Sequence, residues 1–196
     1  VAIGTSSGGI KAFYEILPDF SKNDAYAVLI VVHMNQKEVS DSFAKRLNEK
    51  CQLEVKSATH AMTIEPGTAY VIPGGFHAEV LKKGEEAIIS LHEGPKVNFV
   101  RPSIDVLMKS VAEVFKENSI GILLTGMGMD GAQGMKAIKD AGGSTIAQNK
   151  TTSAVFSMPR HAIELDCVDK VLPLQEIRDE TIKLVEEKVS QKAKAD

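Results

Sequence analysis

A hydroxyl, an imidazole and a carboxylate are the first features of this 196-residue chain that could do chemistry together. The hydroxyl is Ser6 or Ser7, in the opening stretch VAIGTSSGGIKAF. The imidazole is His33, at the end of AYAVLIVVH, residues 25–33. The carboxylate is Asp130, in TGMGMDG, residues 125–131. A hydroxyl becomes a nucleophile when a neighbouring imidazole takes its proton, and the imidazole needs a carboxylate to fix its tautomer and stabilise its charged form. Triads of this kind are defined by geometry and role, so the unfamiliar chain order Ser, His, Asp is no objection. Residues 4–9 carry little side-chain bulk. Their backbone N–H groups, at a helix start, could therefore face a developing oxyanion, and residues 126–128 offer a second such segment.

The same glycines suggest a rival chemistry, a cradle for a bound phosphate. A dinucleotide fingerprint requires G-x-G-x-x-G after the first strand and an acid near the end of the second, whereas here the glycines fall at 4, 8 and 9 and the second run ends in His33. No Lys-Ser/Thr pair follows, as a P-loop would require. A nucleotide- or phosphate-binding module without esterase activity is the alternative, and the triad is favoured.

Such groups must be brought together by a sheet. Residues 1–4 and 25–33 read as strands, the second an unbroken Val/Ile/Leu run suited to burial on both faces. Between them Ile10, Phe13 and Leu17 share a helical face, which Pro18 ends. A second helix over 40–50 and a short strand at 53–55 complete a strand–helix alternation, the mark of a parallel sheet with right-handed crossovers. Residues 67–75 read as a strand leaving through a Gly/Pro turn. Residues 76–81 and 87–91 read as a hairpin, expected as an antiparallel addition to the main sheet.

The alternation resumes with a helix after Ser103, a strand at 120–124, a helix over 132–141 closed by Gly142-Gly143, and a strand at 144–147. A short helix at 153–156 is expected to break at Met158-Pro159, with a separate turn at 160–163 and a last strand at 168–172. A mostly charged helix over 174–189 should give way to a frayed QKAKAD end. The fold class expected is a doubly wound, mainly parallel α/β sheet with an antiparallel hairpin, Rossmann-like and three-layered, forming one domain over 1–196. In such sheets, sites gather beyond the C-terminal ends of strands, where all three candidate groups fall.

Composition narrows the class of partner. With 43% hydrophobic and 25% charged residues and a net charge of −3, the chain resembles a folded globular domain and has no basic excess pointing to nucleic acid. Cys51 and Cys167 have no CxxC spacing, and His60, His77, His92 and His161 no ligand-like spacing. Neither a metal nor another cofactor is expected, and a reducing, cytoplasmic setting is. No secretory leader is recognised and no apolar run is long enough to span a bilayer, so membrane insertion is not expected. The start on a strand without Met suggests a fragment of a longer protein.

Several spaced blocks then carry a resemblance: IGTSSGG at 3–9, VVHM at 31–34, GPKVNFVRPSIDVL at 94–107, LLTGMGMDGAQGM at 123–135, TIAQN at 145–149 and VFSMPRHAI at 155–163. In this order they resemble the catalytic domain of the bacterial chemotaxis protein-glutamate methylesterase (CheB) family. The resemblance implies hydrolysis of methyl-glutamate esters on the cytoplasmic helices of chemoreceptors, releasing methanol, with deamidation of particular glutamines. It implies Ser6 as nucleophile, His33 as general base and Asp130 as its orienting partner, with the backbone N–H groups of Ser7 and Met127 as oxyanion donors. The methylated chemoreceptor is the implied partner, and a phosphorylatable receiver domain the implied neighbour in a full-length protein. Arg101, Met129 and Arg160 are the candidate substrate-binding residues.

Two positions depart from that pattern. Met129 stands where the family commonly has Asn, and Thr5-Ser6-Ser7 where it often has Ala-Ser-Thr. Plainer roles also compete for individual residues: a local cap for Ser6 or Ser7, a backbone-bonded strand-end histidine for His33, a helix N-cap for Asp130. Ser103 reads as a cap and Asp105 as a first-turn acid of the helix they open. Met127, Met129 and Met135 could form an apolar rim around a methyl ester, although filling gaps in the core is the commoner role for methionine.

Overall fold

The computed structural model describes residues 1–22 and 25–195. Its first half runs β1 (Ala2–Thr5), α1 (Gly9–Ile16), β2 (Val28–Val32), α2 (Lys37–Asn48), β3 (Glu54–Ser57), β4 (Met62–Thr63) and β5 (Thr68–Val71). A hairpin of β6 (His77–Lys83) and β7 (Glu86–His92) follows. The second half is α3 (Ile104–Phe115), β8 (Ile120–Leu123), α4 (Ala132–Asp140), β9 (Ser144–Gln148), α5 (Ser157–Glu164), β10 (Lys170–Leu172) and α6 (Leu174–Ala195).

Seven strands form one parallel sheet in the order β10-β9-β8-β1-β2-β5-β3. Successive strand residues point to opposite faces, so an unbroken apolar run feeds two cores at once. In β2, Val28, Ile30 and Val32 join the core under α1, α2 and α6, built on Phe13, Phe43, Leu47 and Ile177. Leu29 and Val31 join the opposite core with Leu107 and Met108 of α3, Met135 and Ile138 of α4 and Met158 of α5. This is the doubly wound, three-layered architecture that the strand–helix alternation predicts. The predicted hairpin is present, with Lys83 opposite Glu86 at its tip, but it does not extend the main sheet: with β4 it makes a separate three-stranded sheet, packed on the α3 side by the Val80 N–H to Ser110 Oγ bond of 2.8 Å.

β1 has β2 on one side and β8 on the other, so the sheet's winding reverses there. The crevice beyond the carboxyl ends of β1 and β8 is the switch point where such sheets place their sites.

Some local expectations are corrected. Met158 and Pro159 open α5 rather than breaking a helix before it, because a proline in the first turn lacks only an N–H that has no partner inside the helix. Residues 160–163 accordingly continue that helix. The last helix continues through Ala195, so QKAKA is helical; Asp196 lies outside the described residues.

Candidate active site

β1 and β2 end in step. Thr5 pairs with Val32, and the next backbone bond runs from the His33 N–H to the Thr5 carbonyl at 3.2 Å. Ser6 and His33 are therefore each one residue past the same register pair. The turn after β1 is fastened to the end of β8 by three bonds: Ser6 N–H to the Thr125 carbonyl at 3.1 Å, Thr5 Oγ1 to that carbonyl at 2.6 Å, and Thr125 Oγ1 to the Ser7 carbonyl at 2.9 Å. Thr5 is wholly buried, so its hydroxyl fixes the strand end without competing for substrate. Gly8 takes φ +86°, and a Cβ there would meet the Ala154 methyl at 2.7 Å, which accounts for glycine after the two serines.

The third group arrives from the segment after β8. Asp130 is 2% exposed, and its Oδ2 lies 2.8 Å from His33 Nε2. The same oxygen accepts the Ile104 N–H at 2.6 Å. Oδ1 accepts Ser103 Oγ at 2.6 Å, Asn98 Nδ2 at 2.8 Å and, more weakly, the Asp105 N–H at 3.4 Å. Burial alone would raise the carboxyl's pKa. The hydrogen bonds from His33, Ser103, Asn98 and the Ile104 N–H outweigh it, and the pKa lies below its ordinary value, so the group is an anion at neutral pH.

These contacts correct the cap readings of Asp130 and Ser103 and leave Asp105 in the first turn of α3, as expected. Asp130 does not cap its own helix: Gly131 is the N-cap of α4, and the Asp130 carboxylate instead receives the first N–H groups of α3. Asp105, inside α3, returns the exchange, its Oδ1 accepting the N–H groups of Gly131 at 2.9 Å and Gly134 at 2.7 Å. Each helix start is thus capped by a carboxylate from the other. Ser103 occupies the N-cap position of α3, but its hydroxyl goes to Asp130 rather than to its own helix. Close approach allows the exchange: a Cβ on Gly134 would meet Met108 Cβ at 2.6 Å.

His33 presents Nε2 to the carboxylate, leaving Nδ1 as the nitrogen available for a hydroxyl. Among the described residues the Ser6 hydroxyl has no hydrogen-bond partner, so the structure forms the imidazole–carboxylate pair and not the hydroxyl–imidazole bond. The N–H groups of Ser7 and Met127 likewise donate to no described acceptor, whereas the neighbouring Gly126 N–H is taken by the Val155 carbonyl at 2.9 Å.

Around this centre Met127 and Met129 are exposed, 73% and 55%, but Met135 is fully buried between α4 and the sheet and is no part of a rim. Arg101 Nη1 donates to the carbonyls of Glu93 and Gly94, both at 2.9 Å, tying its own loop together. Arg160 is exposed, with Nε 3.8 Å from Glu164. Among the described residues no cluster of His, Cys, Asp and Glu could hold a metal ion. A cavity lined by Val1, Tyr26, Ile64, Phe115 and Val185 lies at the opposite, N-terminal ends of the strands and includes none of the three groups.

The fold is a doubly wound α/β sheet that brings a serine, a histidine and a buried aspartate to neighbouring strand ends. The family model described as CheB methylesterase matches residues 1–181, and the chain belongs to that family. It is 43% identical over 186 residues to the protein-glutamate methylesterase/protein-glutamine glutaminase of Pyrococcus abyssi, which covers 95% of this chain and 50% of that protein. The Salmonella typhimurium protein of the same name is 43% identical over 182 residues, covering 93% and 52%. The crystal structure of the Thermotoga maritima CheB methylesterase catalytic domain superposes with a TM-score of 0.89 at 36% identity, covering 94% of this chain and 96% of that one. The chain spans about half the length of these curated relatives.

No loss of sequence signal hid Asn98, Ser103 and Asp105. All three lie in the block at 94–107, but local spacing assigns Ser103 and Asp105 roles at the start of their own helix and gives Asn98 none.

Proposed function

We propose that the chain is the catalytic part of a methylesterase that removes methyl groups from glutamate side chains on chemoreceptor cytoplasmic helices, using Ser6, His33 and Asp130. The observation that carries this reading is the His33–Asp130 pair at 2.8 Å, with Ser6 in step with His33 at the end of the adjacent strand. In the reaction, His33 Nδ1 takes the Ser6 proton as Oγ attacks the ester carbonyl. The oxyanion is received by the N–H groups of Ser7 and Met127. Collapse expels methanol, protonated by the imidazolium, and leaves an acyl-serine. Water, deprotonated by His33, then attacks the acyl carbon; the glutamate carboxylate leaves and Ser6 recovers its proton. With a glutamine side chain the same steps release ammonia in place of methanol, consistent with the double name of the relatives. The catalytic hydrogen bond from Ser6 forms when substrate is bound, as is common where the free enzyme holds its nucleophile loosely.

Asp130 is not a proton acceptor in this scheme. Its anionic, heavily bonded carboxylate fixes the tautomer with hydrogen on Nε2 and stabilises the imidazolium. Met129, Arg160 and Arg101 border the substrate. The other half of the relatives' length is assigned to a receiver domain that controls access in the full-length protein, and the setting is the cytoplasm, where the receptor helices lie. Among the described residues no helix is long and apolar enough to cross a membrane.

The test is methanol release from methylated receptor by the wild type and Ser6→Ala. The variant is expected to fold and to release none above background; substantial residual esterase would remove Ser6 from the mechanism. A panel of small esters separates a general carboxylesterase, which would turn them over rapidly without receptor.

A further inference from the structure

One donor to Asp130 comes from a side chain with no part in the reaction scheme above. Asn98 and Phe99 form a two-residue turn closed by reciprocal bonds between Val97 and Val100, 3.2 and 3.0 Å, and both central residues have positive φ, 53° and 65°. Asparagine is among the few non-glycine residues that suit such a turn, so the backbone fixes where its amide starts. The amide then reaches two buried carboxylates at once: Nδ2 lies 2.8 Å from Asp130 Oδ1 and 2.8 Å from Asp105 Oδ2. Only an N–H2 can satisfy both anions, one hydrogen for each, which fixes the amide's orientation.

We infer that Asn98 is a positioning residue of the active site, acting through Asp130 by pinning Oδ1 and sharing its negative charge so that Oδ2 meets the His33 ring with a set geometry and basicity. The inference rests on the reading of His33 and Asp130 as base and partner. The groups that could blur the effect are known. His33 after β2, Asp105 on α3 and His77 on β6 act on Asp130 directly; Arg101 and His92 lie beyond His77, and Lys109 beyond Asp105. None of these supplies Oδ1 with an N–H or O–H from its side chain; among the described residues, besides Asn98 only the Ser103 hydroxyl does.

The sign of the effect follows from the donor count. A carboxylate that loses a donor holds its charge less comfortably, becomes more basic and binds a neighbouring imidazolium more tightly. Asn98→Ala removes the donor. Asn98→Asp, of nearly the same shape, replaces two N–H donors by one O–H or by a third negative charge, and either form favours the protonated imidazole more strongly.

The experiment follows the His33 ring by NMR in the histidine-labelled chain, its signal identified by its loss in His33→Gln, beside the pH dependence of kcat/KM on methylated receptor. The His33 titration midpoint is expected to move up by about one pH unit in Asn98→Asp and by less in Asn98→Ala, and the acid limb of the rate profile to move with it. A folded Asn98→Asp whose midpoint stays at the wild-type value overturns the inference and marks Asn98 as structural glue between α3 and α4. A midpoint that moves while the rate profile does not supports Asn98 acting through Asp130 and instead removes His33 as the base. Should Asn98→Ala fail to fold, the near-isosteric Asn98→Asp and the smaller Asn98→Ser give the same reading.

Discussion

Ser6 and His33 are register partners: each stands one residue beyond the Thr5–Val32 pair that closes β1 against β2. In adjacent parallel strands, residues in register point to the same side of the sheet, about 4.8 Å apart. The backbones that carry hydroxyl and imidazole therefore leave the sheet side by side, His33 still bonded through its N–H to the Thr5 carbonyl and Ser6 held by its N–H bond to the Thr125 carbonyl. Asp130, by contrast, is placed by two helices that cap each other through Asp130 and Asp105.

The first consequence concerns the imidazole. His33→Gln keeps a polar group facing Asp130 but supplies no base, and kcat/KM on methylated receptor is expected to fall by about two to four orders of magnitude with the fold retained. In the wild type, nitrogen NMR of His33 in its neutral form should find the proton on Nε2, because that atom faces the carboxylate at 2.8 Å. A proton on Nδ1 would contradict the assignment of that nitrogen as the base.

Replacing the carboxylate tests both catalysis and stability. Asp130→Asn is expected to lower kcat by roughly 10⁴, since an amide facing His33 favours the wrong tautomer. It also places an N–H2 among groups that all donate to the carboxylate, at a cost of about 1–3 kcal/mol at neutral pH. The pKa of Asp130 is depressed in the fold, so its contribution to stability is complete above the unfolded carboxyl value, about 3.9, and is lost as pH falls through the lower folded value. Urea unfolding should accordingly show a gap between wild type and Asp130→Asn that is full at pH 7 and narrows below about pH 4.

What could be read directly from the chain divides along the range of the contacts. The sheet was legible because apolar runs alternate with helical spacing, and Ser6 and His33 could be picked out because they follow such runs closely, whereas Asp130 comes only after the TGMGM turn that follows β8. The support around Asp130 was not, because its donors at Asn98, Ser103 and Ile104 lie 26 to 32 residues away, Ser103 and Ile104 have satisfactory local roles at the start of their own helix, and nothing local singles out Asn98. Exchange of caps between α3 and α4 leaves no periodic or spacing signal. Met135, inside α4, takes the commoner role of core filling, while Met127 and Met129 in the preceding turn are exposed.

Gly126 tests how finely the nucleophile is placed. A Cβ there would press on the Met158 sulfur and meet Ser6 Cβ at 2.9 Å. The methionine end can swing aside, but Ser6 is held by its backbone bond to Thr125 and must shift by a few tenths of an ångström. Gly126→Ala is expected to lower kcat about tenfold to a hundredfold while changing the melting temperature little. Unchanged kcat would mean that Ser6 tolerates displacement that a positioned nucleophile should not.

Met129 carries the clearest departure from the family pattern beside the triad, and its exposure decides what it can do. At 55% exposed it contributes little to the core, and replacing it should alter stability by no more than about 0.5 kcal/mol. Its neighbour Asp130 takes its hydrogen bonds from His33, Asn98, Ser103 and the start of α3, none of which involves residue 129. Met129→Ala is therefore expected to leave kcat and the pH profile in place and to raise KM for methylated receptor, by roughly tenfold, as an apolar contact to bound substrate is lost. Met129→Asn should raise KM in the same direction. A fall in kcat with KM unchanged would instead place Met129 in the support of the catalytic carboxylate, and unchanged kinetics in both variants would remove it from the substrate site.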